Sequence, residues 1–370
     1  VKPQSRIYLS PPDVGESERA ALLDAFDGGW IAPVGPQLDQ FEADLASYLG
    51  AEACTAVSSG TAALRLGLEL IGVGPGDEVV VATATFAASA FAVAHAGARP
   101  VFCDVDRATW GLDPNLLEDF LAARAAAKNL PKAVMPVSLY GSAPNYPALV
   151  EVCERFEVPI LEDAAEALGS RSHQGMVGAL GHPSVLSFNG NKIITTSSGG
   201  AFLGTPEQCS RVRYLATQAR QPALHYEHED IGFNFRLSNL LAALGCAQLA
   251  RIEDIVSRLG QINASYRTAF SEFEWCPYEN TPRPNHWLSV ALLPAGIDAN
   301  QIAVTLNEND IEVRPAWKPM HQQPVFDACE LVGSGQVAAD IFARGLCLPS
   351  GSTMTDSDID TVIAAVRSKL

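Results

Sequence analysis

Positive charge is scarce in this chain: 25 Lys and Arg face 42 Asp and Glu, giving a formal net charge of −17 at pH 7. Nucleic acid and anionic membrane surfaces both demand clustered basic residues, so neither is an expected partner. The acidic residues are scattered, as at Glu16, Glu18, Asp24 and Asp27, which describes a solvated surface. Long apolar runs are missing too. None reaches the length of a membrane span, and Val1-Lys2-Pro3-Gln4-Ser5 carries no apolar signal region. The start at Val1, without Met, points to a processed or trimmed N-terminus. Paired cysteines are absent. Among the eight there is no CxxC and none stands with His at zinc-finger spacing, so neither a disulfide framework nor a metal is expected. Most lie in apolar runs such as Val101-Phe102-Cys103, where a thiol serves as a small buried hydrophobe, and this fits a reducing cytoplasm.

What the chain does have is a core. Hydrophobic residues make up 48% and charged residues 18%, and 370 residues exceed one ordinary core, so two domains are expected. Short β-rich runs at 54–57, 78–82, 100–104, 133–138, 158–162, 184–188 and 200–203 alternate with Ala-, Leu- and Glu-rich segments at 61–71, 115–127 and 148–156. That rhythm predicts βα units and a mostly parallel sheet of seven strands. Leu64, Leu68 and Ile71 recur at helical spacing, and Gly72-Val73-Gly74-Pro75-Gly76-Asp77 ends that helix. Around 240–259 the pattern becomes one long helix, followed by mixed elements and a Pro-rich stretch at 277–284. The expected division is a large domain over 1–245 and a smaller α+β domain over 246–370.

The chemistry gathers at predicted strand ends. Val158-Pro159-Ile160-Leu161 delivers Glu162 and Asp163 to the edge of the sheet, and Val185-Leu186-Ser187-Phe188 runs into a polar loop carrying Lys192. Ligands of open α/β sheets bind at that edge. A lysine able to form a Schiff base, with a carboxylate able to hold a pyridinium proton, is the pair that pyridoxal phosphate demands. Taken singly, Lys192 reads equally as a solvated lysine and Asp163 as a helix cap. Ser58-Ser59-Gly60-Thr61-Ala62-Ala63 opens a helix after the first strand, where backbone N–H groups and the helix dipole suit a phosphate, although such turns are mostly plain N-caps. Ser187 is a further phosphate donor. Glu166 either accepts a hydrogen bond from the cofactor's phenolic oxygen or acts as a structural cap. Phe86, after the second strand, is placed to stack on a ring or to join the core. A nicotinamide oxidoreductase would want Gly-x-Gly-x-x-Gly in the first turn, and this chain lacks it.

Together these residues resemble the DegT/DnrJ/StrS family of sugar aminotransferases. The likeness runs the length of the chain, through Gly29-Trp30-Ile31-Ala32-Pro33-Val34-Gly35-Pro36, Ser59-Gly60-Thr61-Ala62-Ala63-Leu64, Glu162-Asp163-Ala164-Ala165-Glu166-Ala167-Leu168-Gly169, Ser187-Phe188-Asn189-Gly190-Asn191-Lys192 and Gly232-Phe233-Asn234-Phe235-Arg236-Leu237-Ser238. The resemblance implies the fold of type I pyridoxal phosphate transferases and a homodimer with shared active sites. It implies that Lys192 binds the cofactor covalently, Asp163 pairs with the ring nitrogen, and Phe86 stacks on the ring. Gly60, Thr61, Ala62 and Ser187 would hold the phosphate, and Asn234 would reach the phosphate in the neighbouring subunit. Because the lysine is present, the implied reaction is transamination from L-glutamate to carbon 4 of a nucleotide-linked 4-keto sugar, by a ping-pong route. The Glu166 form of the motif, with segments at 217–220, 224–228, 312–321 and 347–351, looks like the transaminases that make UDP-4-amino-4,6-dideoxy-N-acetylglucosamine. A dTDP- or UDP-linked deoxyhexose or pentose is an open alternative. Trp30, Arg220, His225, Arg314, Lys318 and His321 are candidates for substrate phosphates or carboxylate, each also readable as an ordinary surface residue. A non-catalytic regulator on the same fold is the rival class.

Overall fold

The computed structural model describes residues 6–370; residues 1–5, read above for a signal region, lie outside them. Seven strands come from the first 204 residues: β1 (Ala53–Val57), β2 (Glu78–Ala82), β3 (Arg99–Cys103), β4 (Ala133–Met135), β5 (Glu162–Asp163), β6 (Ser184–Ser187) and β7 (Gly200–Gly204). Later come β8 (Glu274–Trp275), β9 (Ser289–Leu292), β10 (Arg314–Pro315), β11 (Leu331–Val332) and β12 (Gly345–Leu348). Strands pair in the orders β1-β7-β6-β5 and β11-β3-β2-β4, and parallel bridges Val134–Ile160 and Val137–Asp163 join the two into one sheet. Only β7 runs against its neighbours β1 and β6; the remaining pairs are parallel. The expected seven-stranded sheet is present, with β11 from the C-terminal part added at the β3 edge.

Prolines explain where two predicted strands are shorter than read. Pro136 ends β4 inside 133–138, and Pro159 leaves 158–162 with a single bridge at Ile160 before β5. A proline has no N–H to give to a ladder.

The strands β2 and β3 are buried on both faces, which is why Val79-Val80-Val81-Ala82 is uniformly apolar rather than alternating. Helices α1 (Glu16–Asp27), α2 (Pro36–Leu49), α3 (Gly60–Ile71), α4 (Ala87–His95), α5 (Pro114–Ala126), α6 (Tyr146–Arg155) and α7 (Pro206–Ala216) belong to this layer system. On one face Val57, Val79, Val81, Phe102, Val185 and Phe202 pack with Leu64 and Leu68 of α3, Val93 of α4 and Leu215 of α7. On the other, Ala56, Val80, Val101, Val134 and Leu186 pack with Leu45 of α2, Leu121 of α5 and Leu149 of α6.

The long helix expected over 240–259 is two helices, α8 (Asn239–Leu249) and α9 (Ile252–Ala269). Arg251 breaks it with φ −118° and ψ 16°, its guanidinium held by Glu18 at 2.8 Å and Asp13 at 2.9 Å. The division expected after residue 245 falls inside α8. Beyond it, α9, α10 (Ala299–Glu308), α11 (Gln336–Arg344) and α12 (Asp356–Arg367) accompany an antiparallel sheet ordered β10-β12-β9-β8. Among the described residues no helix is long and apolar enough to cross a membrane.

Candidate active site

A cavity of about 290 Å³ sits where the chain leaves β1, β2, β5 and β6 and enters β7. Gly60, Thr61, Phe86, Asp163, Glu166, Ser187 and Lys192 all line it, so one space collects seven residues singled out in the sequence. They arrive from four strand ends, Gly60 and Thr61 after β1, Phe86 after β2, Asp163 and Glu166 from β5 and its turn, and Ser187 and Lys192 from β6 and its loop, which is how an open parallel sheet builds a site.

Asp163 is buried at the cavity floor, 4% exposed. Its Oδ2 accepts from the Ser89 hydroxyl at 2.7 Å and its Oδ1 from the Ala165 N–H at 3.1 Å. Burial pushes its pKa up; the two hydrogen bonds oppose that rise, nearby Glu166 adds to it, and Lys192 counters it. Ser89 is itself held by Thr85 at 2.7 Å, one helical turn away. A buried carboxylate with donors to both oxygens is positioned to meet a cationic group. Glu162 does not share this edge. Alternation along β5 turns it away, to Ser138 at 3.3 Å and to His182 at 3.2 Å.

The Lys192 loop is pinned by its backbone. The Lys192 N–H donates to Asn189 O at 2.9 Å, while Asn191 O accepts from Trp287 Nε1 at 2.6 Å and from the Ser10 hydroxyl at 2.9 Å. Lys192 Nζ lies 3.5 Å from Glu166 Oε1 and 3.8 Å from the centroid of the Trp287 ring. Glu166 is in a turn. Its Oε1 also accepts from Trp317 Nε1 at 3.2 Å, and its Oε2 accepts from the Tyr140 N–H at 2.9 Å.

The opposite wall is the start of α3. Ser59 caps it by accepting the Ala62 N–H at 3.0 Å, so that donor serves the helix, and Ala62 does not line the cavity. A Cβ on Gly60 would approach Ser187 Cβ to 3.0 Å, and one on Gly200 would meet Gly60 N at 2.5 Å. Glycine at both positions lets the helix N-terminus sit directly against β6 and β7. Phe86 is 57% exposed at the cavity mouth, edge-on to Trp317 with ring centroids 6.1 Å apart. A primary amine, a buried carboxylate, hydroxyls and a glycine-lined helix start form a donor set that fits a phosphorylated pyridine aldehyde.

The other candidates are spread out. Arg314 lines a neighbouring cavity of about 560 Å³ with Tyr8, Ser10 and Glu312, and this space shares Phe86, Asn191 and Trp317 with the first. Arg314 donates to Glu312 at 3.0 Å. Lys318 is half-buried beside Trp317 and lines neither cavity. His321 is engaged elsewhere, its Nδ1 2.7 Å from the Thr83 hydroxyl, and burial lowers its pKa. Trp30 is exposed, and its carbonyl accepts from Asn239 at 2.8 Å. Arg220, His225 and Asn234 are exposed and away from both cavities. Arg220 lies over Tyr226, His225 pairs with Glu227 at 3.1 Å, and Asn234 accepts from Gln218 at 2.9 Å. Sequence reasoning missed Ser89, Tyr140, Trp287 and Trp317. Only Ser89 left a signal, as a hydroxyl in the first turn of the helix that follows Phe86.

Residues 12–367 match the model of the DegT/DnrJ/EryC1/StrS aminotransferase family. The chain is 41% identical to EpsN of Bacillus subtilis (strain 168), over 97% of this chain and 94% of that one. It is 35% identical to the GDP-perosamine synthase of Caulobacter vibrioides, covering 98% and 97%. The PLP form of Spr1654 from Streptococcus pneumoniae superposes with a TM-score of 0.89 at 25% identity, covering 99% and 100%.

Proposed function

Because this chain belongs to the DegT/DnrJ/EryC1/StrS aminotransferase family and is a pyridoxal phosphate enzyme, we propose that it carries an amino group from L-glutamate to carbon 4 of a nucleotide-linked 4-keto sugar. The observation that carries this reading is the meeting of Lys192 and buried Asp163 in one cavity opposite the start of α3. A relative that bears the name GDP-perosamine synthase supports a nucleotide-sugar acceptor.

Bound pyridoxal phosphate supplies a carbonyl that takes up amines and a ring that draws electrons from the adjacent carbon. The chain's residues do the rest. Lys192 would hold the cofactor through Nζ, and that nitrogen, when free, would take up and return the substrate proton. Asp163 holds the proton on the ring nitrogen, with Ser89 and the Ala165 N–H fixing its carboxylate. Gly60, Thr61 and Ser187 hold the phosphate at the helix start, and Phe86 covers a ring face. Glu166 faces the cavity beside Lys192 and takes the hydrogen bond of the phenolic oxygen. The adjoining cavity with Arg314 receives the sugar's anionic portion, where a local cation is needed in so acidic a protein.

Asn234, Arg220 and His225 then belong to a neighbouring subunit's site in a homodimer. Support comes from the same stretch, where Leu224, Tyr226 and Ile231 stand exposed in the single chain.

The deciding test is the visible spectrum of the purified protein with pyridoxal phosphate, before and after L-glutamate, followed by a panel of nucleotide 4-keto sugars. A lysine-bound cofactor band that glutamate bleaches, and that a nucleotide 4-keto sugar restores, is the expected result. Lys192→Ala and Lys192→Arg should abolish turnover, and circular dichroism should match the parent. Substantial retained activity in either variant would sink the mechanism. A folded parent that takes up cofactor but never transfers an amine would move the regulatory reading forward.

A further inference from the structure

Building on that reading, we propose that Trp287 is a positioning residue for Lys192, whose indole face holds the detached ammonium and whose N–H fixes the loop that carries it. Four observations converge. Lys192 Nζ lies 3.8 Å from the Trp287 ring centroid, well inside cation–π range. Trp287 is 2% exposed, so little water competes for that face. Its other edge donates to Asn191 O at 2.6 Å, and the Ser10 hydroxyl reaches the same oxygen at 2.9 Å, so ring and lysine are tied to one backbone. The ring itself is held in an aromatic group, with Trp317 at 6.5 Å between centroids.

The chemistry of the neighbours makes this face useful. A lysine nitrogen must be neutral to attack a carbonyl and protonated to wait or to return a proton. The charged groups facing Nζ are Glu166 from the turn after β5, at 3.5 Å, and Asp163 of β5, whose charge it also feels. Glu166 divides its charge among Trp317 Nε1, the Tyr140 N–H and Lys192. A carboxylate alone can take the proton back. An indole face favours the cation and cannot accept its proton, so it stabilises the ammonium without discharging it. It also makes no directional bond that the lysine would have to break on leaving.

The test uses full-length protein freed of cofactor. Tryptophan carrying increasing numbers of fluorines is placed at position 287, which weakens the face's negative potential while keeping its shape. The rate of pyridoxal phosphate capture is then followed by visible absorption across pH, because capture needs the neutral amine. At pH values below the midpoint of the wild-type profile, capture should accelerate stepwise with fluorination, by up to roughly tenfold across the series. Trp287→Phe keeps an aromatic face and should retain most of the pH profile while loosening the loop, seen as lower thermal stability. Superimposable pH profiles throughout the fluorinated series, with capture intact, would overturn the role of Trp287 and leave the proposed function standing. A wild-type protein that captures no cofactor at any pH would remove both.

Discussion

At Asp163 a carboxyl is buried beside the lysine, with only hydroxyl and amide donors on its oxygens. Burial raises its pKa in the fold, so above the ordinary carboxylate value the unfolded chain releases a proton that the native one keeps. Stability of the cofactor-free protein should therefore fall as pH rises through the interval between those two values, and Asp163→Asn should remove that slope in urea-unfolding series. His286 works in the opposite direction. Burial holds its pKa down at about 4 against an ordinary 6.5, so the neutral ring is the native form. Its contribution is complete above pH 6.5 and is lost as pH falls towards 4, worth up to about 3 kcal/mol. Melting temperatures of wild type and His286→Asn should converge in that acid window, and asparagine suits the φ of +52° found there. Lys192 and Asp163 were legible in the sequence because each follows an apolar strand within a few residues, so local pattern alone places it at the sheet edge. Trp287 and Trp317 were not, since their approach to the lysine depends on how the C-terminal sheet packs against the first.

The elements that frame the site depend on close backbone approach. A Cβ at Gly200 would stand 2.5 Å from both Gly60 N and Ser59 C, where no flexible side chain can give way. Gly200→Ala should destabilise the protein by about 1–3 kcal/mol in denaturant titrations. It should weaken cofactor binding as well, because the start of α3 must move away from β7. An unchanged cofactor affinity would separate the helix start from phosphate binding. Strand positions were readable here from apolar runs ended by Gly, Pro and polar residues, and β2 matches its predicted bounds. The gap between α8 and α9 was not. Local sequence favours helix through Ala250 and Arg251, and the break follows from long-range pairing of Arg251 with Asp13 and Glu18.

Taken whole, the molecule carries part of its candidate machinery on an exposed stretch that serves neither of its own cavities. If Asn234 completes a neighbour's site, two crippled variants should repair each other. Mixing Lys192→Ala with Asn234→Ala, after dissociation and reassembly, should regain up to roughly a quarter of wild-type turnover, because half the dimers then hold one intact site. No recovery on mixing, with subunit exchange verified, would place Asn234 outside a shared site. The folding order carries a further implication through β11, which pairs with β3 at the far edge of the large sheet. Residues 331 and 332 are made more than 200 residues after β3 is complete. Until then the outer edge of β3 is an open row of donors and acceptors on a growing polypeptide, a template for pairing with other nascent chains. Chains stalled or truncated before Leu331 should consequently depend on chaperones to stay dispersed, while the folded chain closes that edge with β11.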